Sequence, residues 1–320
     1  MKKALPIIFI VMLCCTMLFG GLFAVQAQTQ SNGKGEIQKV LAQWSTLAAM
    51  PGPKIYHASA YYQGSLFVFG GTGTSGGNVD IYKYDVAKNS WSVVAQLPEI
   101  RNYATADLVG DKIYLMGGYS LINPYTLGTQ VLVFDPVNYS IDFKSNIPTP
   151  VAGHASVVIG NKIFLMGGSA KNGWASDYQS AVQIYDPATD TWTASTAMPI
   201  ALRNMAAGAV GNSIITVGGY NSSAPPTMKA DVYRGEVSGT SITWTKKSDY
   251  PAGALNRVSG GGADVKVYFT GGQQTAGIVA KTYAYNLATD AWESLQDKPS
   301  PIHSGSKLVY DGSGFLYCPG

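Results

Sequence analysis

Arginine, histidine and aromatic residues recur along this chain in short segments that precede or follow apolar runs. Guanidinium groups can bind carboxylates through paired hydrogen bonds and can stack on aromatic rings, so such a set suits carboxylates, sugars or an extended peptide. The residues that we predict to form one binding face are Tyr56, His57, Arg101, Tyr103, Tyr119, His154, Trp174, Arg203, Tyr220, Asn256, Arg257 and His303. The alternative, left open by the sequence, is that the Arg and His side chains pack against neighbouring backbone and only support the fold.

Signals for catalysis or metal binding are weak. The three histidines would have to converge from distant segments, and closely spaced ligand pairs such as HxH are absent from the sequence. His57 and His154 both precede Ala-Ser, which favours a structural role. We therefore predict no metal and no cofactor, and the sequence has no GxSxG, P-loop or dinucleotide motif. If the chain were an enzyme, the candidate catalytic residues would be Arg101, Arg203, Arg257, Glu99 and Asp107.

The first residues have the pattern of a secretory signal peptide. Two lysines precede an apolar run from Ala4 to about Val25, and Ala27 ends a small-residue cleavage pattern. We predict a signal peptide over 1–27, a polar linker over 28–43, and export to the periplasm or the cell exterior. An uncleaved anchor is the alternative, because the apolar run is nearly long enough to span a bilayer.

Composition limits the classes of partner. Charged residues make up 13% of the chain, about half the usual share, and the formal net charge is +3. Without a basic stripe, nucleic acid is not expected as a partner. Cys318 is the only cysteine after the predicted signal peptide, so we expect stability from packing and not from disulfides. We expect a monomer whose partner is a protein or a glycan, with no membrane contact beyond the signal segment.

A repeat of about fifty residues sets the elements that must position these side chains. Paired glycines begin at positions 70, 117, 167, 218 and 271, so the steps are 47, 50, 51 and 53 residues. The pairs are Gly70-Gly71, Gly117-Gly118, Gly167-Gly168, Gly218-Gly219 and Gly271-Gly272. Each follows an apolar run such as IYLM or IFLM without polar alternation, which predicts a strand buried on both faces. A ring of sheets would bury both faces of every sheet.

The rest of the unit repeats as well. A second strand ends near an acid or amide, as in IYKYD, VQIYD and TYAYN, and Trp follows six residues later. The tryptophans that we predict to be structural are Trp44, Trp91, Trp192, Trp244 and Trp292. The glycine pairs would permit positive φ and close approach of backbone where the unit narrows. Four short strands with hairpin turns account for roughly fifty residues.

This pattern of an apolar run, two glycines and spaced Tyr and Trp resembles the Kelch repeat, over residues 44–320. The resemblance implies an all-β, Kelch-type β-propeller, with six four-stranded antiparallel blades starting near 55, 101, 152, 203, 256 and 303. The segment WSTLAAMP at 44–51 matches the end of a unit, so it is predicted to close the ring as the outer strand of the last blade. The C-terminus supplies only two strands of that blade, and we expect its third strand to be absent.

The resemblance also implies two enzymatic alternatives. Galactose oxidase needs copper and a Tyr crosslinked to Cys, and Cys318 ends an inner apolar strand, which argues against it. An N-acetylneuraminate mutarotase would need an acid–base carboxylate and an Arg clamp, which the candidate catalytic residues could supply. The Ser-x-Asp-x-Gly-x-Thr-Trp boxes of sialidases do not occur in the sequence.

Loop length points to one face of the predicted propeller. In an antiparallel blade, the links between the second and third strands share one end with the links between blades. These links are long and varied, whereas turns at the other end, such as GDK and GNK, are short. Because loops on a rigid scaffold tend to carry binding residues, we predict a non-catalytic binding module that uses its long-loop face.

Overall fold

The structure, a computed structural model, describes residues 22–27, 42–120, 126–171, 177–221, 227–301 and 305–319. Within these ranges all regular elements are strands, and six antiparallel sheets have four strands each. No helix in the described ranges is long and apolar enough to serve as a membrane span. We number the sheets one to six by the chain order of their first strands.

Within each sheet the first strand pairs with the second, the second with the third, and the third with the fourth. Sheet one contains Ala58–Tyr62, Ser65–Phe69, Asp80–Asp85 and Ser90–Gln96. Sheet two contains Thr105–Val109, Lys112–Met116, Gln130–Phe134 and Ile141–Asn146. Sheet three contains Ala155–Ile159, Lys162–Met166, Val182–Asp186 and Thr191–Ala194. Sheet four contains Ala206–Val210, Ser213–Val217, Val232–Ser238 and Ser241–Lys247.

Sheet five contains Ser259–Ala263, Lys266–Thr270, Thr282–Asn286 and Ala291–Ser294. Sheet six contains Val309–Tyr310, Leu316–Tyr317, Leu22–Ala27 and Ala42–Leu47. Short hairpins in the long loops pair Thr72–Gly73 with Gly76–Gly77, Tyr119–Ser120 with Thr126–Leu127, and Gln273–Gln274 with Gly277–Ile278. A further small sheet joins Leu202–Arg203, Tyr220–Asn221 and Thr227–Met228.

The first strands of the six sheets surround a central channel. Each first strand contacts the first strand of the next sheet, and Val309–Tyr310 contacts those of both sheet five and sheet one. This closed arrangement is the all-β β-propeller that the resemblance to the Kelch repeat implies. The ring also closes as predicted, because the fourth strand of sheet six comes from the N-terminal side of the chain.

The third strand of sheet six corrects one expectation. The repeat pattern predicts that this strand is absent, but Leu22–Ala27 occupies the position, with Ala24 opposite Tyr317 and Val25 opposite Trp44. The physical reason is that both neighbouring strands would otherwise leave backbone N–H and C=O groups unpaired along an open edge. This strand lies within residues 1–27, whose assignment as a signal peptide stays a prediction.

The second strands are buried on both faces, as their unbroken apolar runs predict. Leu115, Leu165 and Ile215 are at most 2% exposed. Apolar clusters fill the space between adjacent sheets, and the Phe134 ring of sheet two meets the rings of Phe67 and Phe69 of sheet one at centroid distances of 5.4 and 5.3 Å. Burial between two sheets therefore provides the main driving force for the ring.

The spaced Tyr and Trp residues stabilise the hairpins and the joints between sheets. In sheet one the Tyr84 hydroxyl donates to Asn89 Oδ1 at 2.6 Å, and Trp91 packs on the Tyr84 ring with centroids 5.1 Å apart. The Trp91 indole N–H donates to the carbonyl of Ala48, which follows the last strand of sheet six, at 2.8 Å. The same tyrosine–turn–tryptophan arrangement recurs as Tyr185, Asp190 and Trp192 and as Tyr285, Asp290 and Trp292.

The glycine pairs allow close approach between sheets. Gly118 has φ +87°, and its N–H donates to the Val151 carbonyl of the next sheet's lead-in segment at 2.9 Å. A Cβ on Gly118 would lie 2.7 Å from the Asn102 carbonyl oxygen, and one on Gly117 would lie 2.3 Å from that of Val151. Only glycine fits both the space and the backbone conformation at this joint.

Candidate functional site

A ring of residues with left-handed backbone surrounds the end of the channel on the long-loop face. Its members, which we call the mouth ring, have φ between 54° and 66° and are Tyr56, Tyr103, Gly153, Asn204, Arg257 and Gly305. Positive φ is unfavourable for bulky side chains, and such strain is common at functional sites. The mouth ring lies at the long-loop face because each lead-in segment pairs with the loop after its glycine pair, as Asn256 does with Gln273.

Backbone hydrogen bonds link the mouth ring from sheet to sheet. Tyr103 N–H donates to the Tyr56 carbonyl at 2.9 Å, and Gly153 N–H donates to the Tyr103 carbonyl at 3.0 Å. The series continues from Asn204 to Gly153 at 2.7 Å and from Arg257 to Asn204 at 2.9 Å. These bonds hold the left-handed conformations in place, and they make the mouth a rigid support for its side chains.

Two arginines and three tyrosines form a cluster on this support. The rings of Tyr56 and Tyr103 stack at 4.0 Å, and the Arg257 guanidinium lies 4.9 Å from the Tyr56 ring centroid. The Arg203 guanidinium lies 5.6 Å from the Tyr103 ring and 5.9 Å from the Tyr119 ring. Cation–π contacts of this kind fix the positions of both guanidinium groups beside the aromatic rings.

Arg257 has the environment of a cation that can accept an anionic ligand. Its guanidinium donates to Gln273 Oε1 at 3.0 Å and to the Tyr103 hydroxyl at 3.4 Å, both neutral groups. Among the described residues, no carboxylate lies within ion-pair distance of Arg257. The side chain is half-buried, so a carboxylate that reached it would form charge-assisted hydrogen bonds with partial shielding from water.

Arg101, in contrast, has a structural role. Its side chain is 3% exposed, pairs with Glu99 at 2.6 Å, and donates to the Gly117 carbonyl at 2.9 Å. Burial lowers the pKa of the Arg101 guanidinium, and the nearby Glu99 carboxylate opposes this effect. Glu99, the candidate for acid–base chemistry on this side of the channel, is thereby held in an ion pair.

The two described histidines are buried in the channel wall. His57 Nε2 lies 3.1 Å from the Pro319 carbonyl, and His154 Nε2 lies 3.0 Å from the Thr105 hydroxyl. Burial lowers the pKa of His57 to about 4 and that of His154 to about 3, so both are neutral at neutral pH. Within the described ranges no three His, Cys, Asp or Glu side chains form a metal-sized group, and His303 lies outside these ranges.

The predicted binding residues come together, but most of them are buried. One cavity at the mouth of about 30 Å³, with room for roughly one or two water molecules, touches Tyr56, Tyr103, His154 and Arg257. Of the described residues in the predicted set, Tyr56, Tyr220 and Arg257 are partly exposed and the others are buried. Trp174 lies outside the described residues. The mouth is therefore filled by its own side chains, so a partner would meet its outer surface.

Some residues of the structure's site were not predicted. Asn204 belongs to the mouth ring, and a signal for it exists in the spacing. Each mouth-ring residue that precedes a glycine pair lies fifteen positions before the second glycine of that pair. The position pairs are 56 and 71, 103 and 118, 153 and 168, 204 and 219, and 257 and 272. Lys307 was also missed, because neither a motif nor the repeat distinguishes it.

The candidate Asp107 lies away from the mouth. It lines a second cavity of about 310 Å³ at the opposite, short-turn end of the channel, with Lys307. Its carboxylate accepts a hydrogen bond from the Ser156 hydroxyl at 2.6 Å and forms an ion pair with Lys307. The structure thus separates the arginine–tyrosine cluster from this carboxylate.

Comparisons with known proteins agree with this architecture. A family model described as the KLHDC2/KLHL20/DRC7 Kelch-repeats domain matches residues 15–219. Similar proteins include Kelch-like protein terF of Aspergillus terreus, 24% identical over 84% of this chain and 62% of that protein. Kelch-like protein 36 of Rattus norvegicus is 23% identical over 92% of this chain and 48% of its own length.

The chain thus spans about half to three-fifths of the length of these relatives. Among solved structures, the structure of YjhT is similar with a TM-score of 0.70, covering 91% of this chain and 98% of that one. The two sequences are 18% identical, so this likeness shows a shared fold alone.

Proposed function

The chain belongs to the Kelch-repeat family, and from this premise we propose that it is an exported, non-catalytic binding module whose long-loop face engages a protein or glycan partner. Kelch-repeat proteins generally bind protein partners, which favours a protein as the first candidate. The export of the chain rests on its N-terminal sequence.

The contact geometry of Arg257 carries this proposal. The guanidinium is half-buried beside the Tyr56 ring, has neutral hydrogen-bond partners, and stands on a backbone ring that fixes its position. A carboxylate of the partner, from Asp, Glu, a chain terminus or an acidic sugar, would compensate its charge. Tyr56 beside it would add apolar contact area at little cost in side-chain entropy.

A catalytic role has less support in the geometry. Sugar mutarotation needs a proton-transferring group next to the group that holds the substrate carboxylate. Glu99 is paired with Arg101, and Asp107 lines the cavity at the other end of the channel. Mutarotase activity is therefore the alternative function, and the experiment below includes a test for it.

The test is binding of the purified chain to an array of random peptides, each acidic peptide being matched by its Asn/Gln counterpart. We expect acidic peptides to bind in preference to their neutral counterparts, and Arg257→Gln to weaken this binding at least about tenfold. Arg234→Gln is the matched control, because Arg234 bonds to Glu236 and to the Leu287 carbonyl on the side of the propeller.

Equal binding of acidic and neutral peptides, or no effect of Arg257→Gln in a folded variant, would refute the role of Arg257. A glycan array run in parallel identifies a carbohydrate partner if acidic glycans bind in the same Arg257-dependent way. Proton NMR of N-acetylneuraminate with the protein measures mutarotation. Catalysis that Arg203→Ala abolishes without unfolding would replace the binding module by the enzyme.

A further inference from the structure

Among the described residues, three cavities lie along the channel, and the largest of them is at the short-turn end. This lower cavity measures about 310 Å³, compared with about 30 Å³ at the mouth, and it is lined by the later halves of the first strands. Its volume reaches the range in which proteins bind small ligands. The short-turn end thus supplies a compartment for a small molecule.

Two charged side chains stand out in a lining made mostly of small residues. The wall includes Ala60, Ala106 and Gly260–Gly262, and its two charged residues, Asp107 and Lys307, lie on opposite sides of sheet one. These two residues are 200 positions apart in sequence. Lys307 also lines both cavities nearer the mouth, so the ion pair marks the boundary between the lower cavity and the rest of the channel.

The hydrogen-bonding capacity of Lys307 is only partly used within the described residues. The Asp107 side chain is 1% exposed and receives the Ser156 hydroxyl on Oδ2 and the Lys307 ammonium on Oδ1. An ammonium has three donors. Because the Lys307 side chain is 22% exposed, its remaining donors are accessible from the cavity, whereas the buried Asp107 carboxylate serves to hold the ammonium.

The charge balance selects the class of ligand. The Asp107–Lys307 pair is neutral as a whole, so a charged ligand gains a strong attraction only if it separates the pair, and separating a largely buried ion pair is costly. A neutral hydroxyl oxygen can accept a hydrogen bond from the exposed part of the Lys307 ammonium and leave the ion pair intact. Tyr61 and Tyr310, half-buried at this cavity, add aromatic surface for the C–H groups of such a ligand.

We propose that the lower cavity binds a neutral polyhydroxylated ligand of monosaccharide size, with Lys307 donating hydrogen bonds to its hydroxyls and Asp107 holding the ammonium in position. This site is at the opposite end of the channel from the long-loop face, and it does not depend on the function proposed for that face. Its ligand would enter from the short-turn end.

The test is methyl-resolved NMR of the full chain titrated separately with D-glucose, D-galactose, N-acetylglucosamine and myo-inositol. We expect saturable shifts, in the millimolar range, at methyl groups of Leu108, Val158 and Leu308, which line the lower cavity. The Met205 methyl, which lines the cavities nearer the mouth, is expected to shift little. D-Glucuronate and D-glucosamine, the charged counterparts, are expected to bind more weakly than D-glucose.

The double variant Asp107→Asn/Lys307→Gln neutralises both charges without leaving one of them unpaired. We expect it to weaken sugar binding at least about tenfold. The control is Lys266→Gln/Glu293→Gln, which removes an ion pair of 2.7 Å outside the cavity. Circular dichroism and thermal melting establish that both variants are folded.

Saturable binding lost in the first variant and kept in the control supports the site. Three results would overturn it: no saturable shift with any of the four neutral probes, shifts concentrated at Met205, or unchanged affinity in the folded Asp107→Asn/Lys307→Gln variant. Stronger binding of glucuronate or glucosamine than of glucose would overturn the assignment to a neutral ligand. If the double variant does not fold, the position of the methyl shifts in the unaltered chain decides the proposal.

Discussion

Tyr56 and Tyr103 stack with ring centroids 4.0 Å apart and an interplanar angle of 17°, although both residues have left-handed backbone, with φ of 61° and 59°. The Tyr103 N–H also donates to the Tyr56 carbonyl at 2.9 Å. The two strained conformations are therefore held by a ring contact and a backbone bond between the same pair. Strain that is fixed in this way gives a rigid platform beside Arg257.

Truncation of these tyrosines should affect stability unequally. Tyr103 is 9% exposed, so Tyr103→Ala is expected to lower the free energy of unfolding by about 3 kcal/mol, through lost burial and the cavity left behind. Tyr56 is half-buried, so Tyr56→Ala should cost about 1 kcal/mol. Urea denaturation followed by tryptophan fluorescence measures both values. Equal losses for the two variants would contradict the burial difference.

Replacing glycine by alanine should lower the free energy of unfolding much more in a glycine pair than at a turn glycine with open space around it. Gly118→Ala combines a left-handed backbone with a Cβ 2.7 Å from the Asn102 carbonyl, so we expect a loss of about 3 kcal/mol or more. Gly211→Ala has φ +57° but open space around the new methyl group, and should cost about 1 kcal/mol. Thermal melting of the two variants distinguishes steric crowding from backbone strain. Similar melting temperatures would mean that backbone strain alone accounts for both losses and that crowding at Gly118 adds nothing.

The free energy of unfolding should decrease as the pH falls, over a pH range set by the pKa values of the two buried histidines. Burial lowers the pKa of His57 from 6.5 to about 4 and that of His154 to about 3, so the unfolded chain binds more protons in this range than the folded chain does. The stabilisation is complete above pH 6.5 and declines as the pH falls toward 4 and 3, by on the order of 3 kcal/mol for each histidine.

Urea denaturation between pH 7 and pH 4 measures this decline. The double variant His57→Gln/His154→Gln should show a flatter dependence of unfolding free energy on pH, because glutamine does not titrate. Carboxylates titrate equally in both proteins, so the difference between the two curves isolates the histidines. Parallel curves would mean that these histidines do not carry the pH dependence.

The strand Leu22–Ala27 should matter for closure of the ring. A chain that starts at residue 28, as cleavage of the predicted signal peptide would produce, lacks the partner of both Leu316–Tyr317 and Ala42–Leu47. We expect a lower melting temperature and faster proteolysis between residues 305 and 319 than in a chain that starts at residue 20. Indistinguishable melting and digestion of the two chains would show that this strand adds nothing to stability.

Much of the scaffold could be predicted because it rests on local chemistry that repeats. The apolar run before each glycine pair requires a neighbouring sheet on both sides, and Leu165 is 1% exposed as a result. The tyrosine and tryptophan of each third and fourth strand, such as Tyr185 and Trp192, pack on one another within a single hairpin. The third strand of sheet six could not be predicted in this way, because its apolar residues also fit the pattern of a signal peptide.

The candidate site was predictable only in part. Arg203 and Arg257 could be predicted because each lies at the start of a blade. Their exposure could not be predicted, because it depends on which aromatic rings they contact across the channel. The left-handed position is occupied by Tyr, Gly, Asn or Arg in different sheets. The residue type therefore does not indicate the left-handed conformation, which the backbone hydrogen bonds impose. Only the constant spacing to the second glycine could have revealed it.

The amino-acid sequence alone determined the repeat, the strands buried on both faces and the glycines between sheets, because each of these follows from residues close together in the chain. Only the tertiary structure decided that Tyr56, Tyr103 and Arg257 fill the mouth and that Asp107 meets Lys307 in the lower cavity. Closing the ring brings first strands from all six sheets around one axis, and contacts across that axis join residues that no local pattern relates.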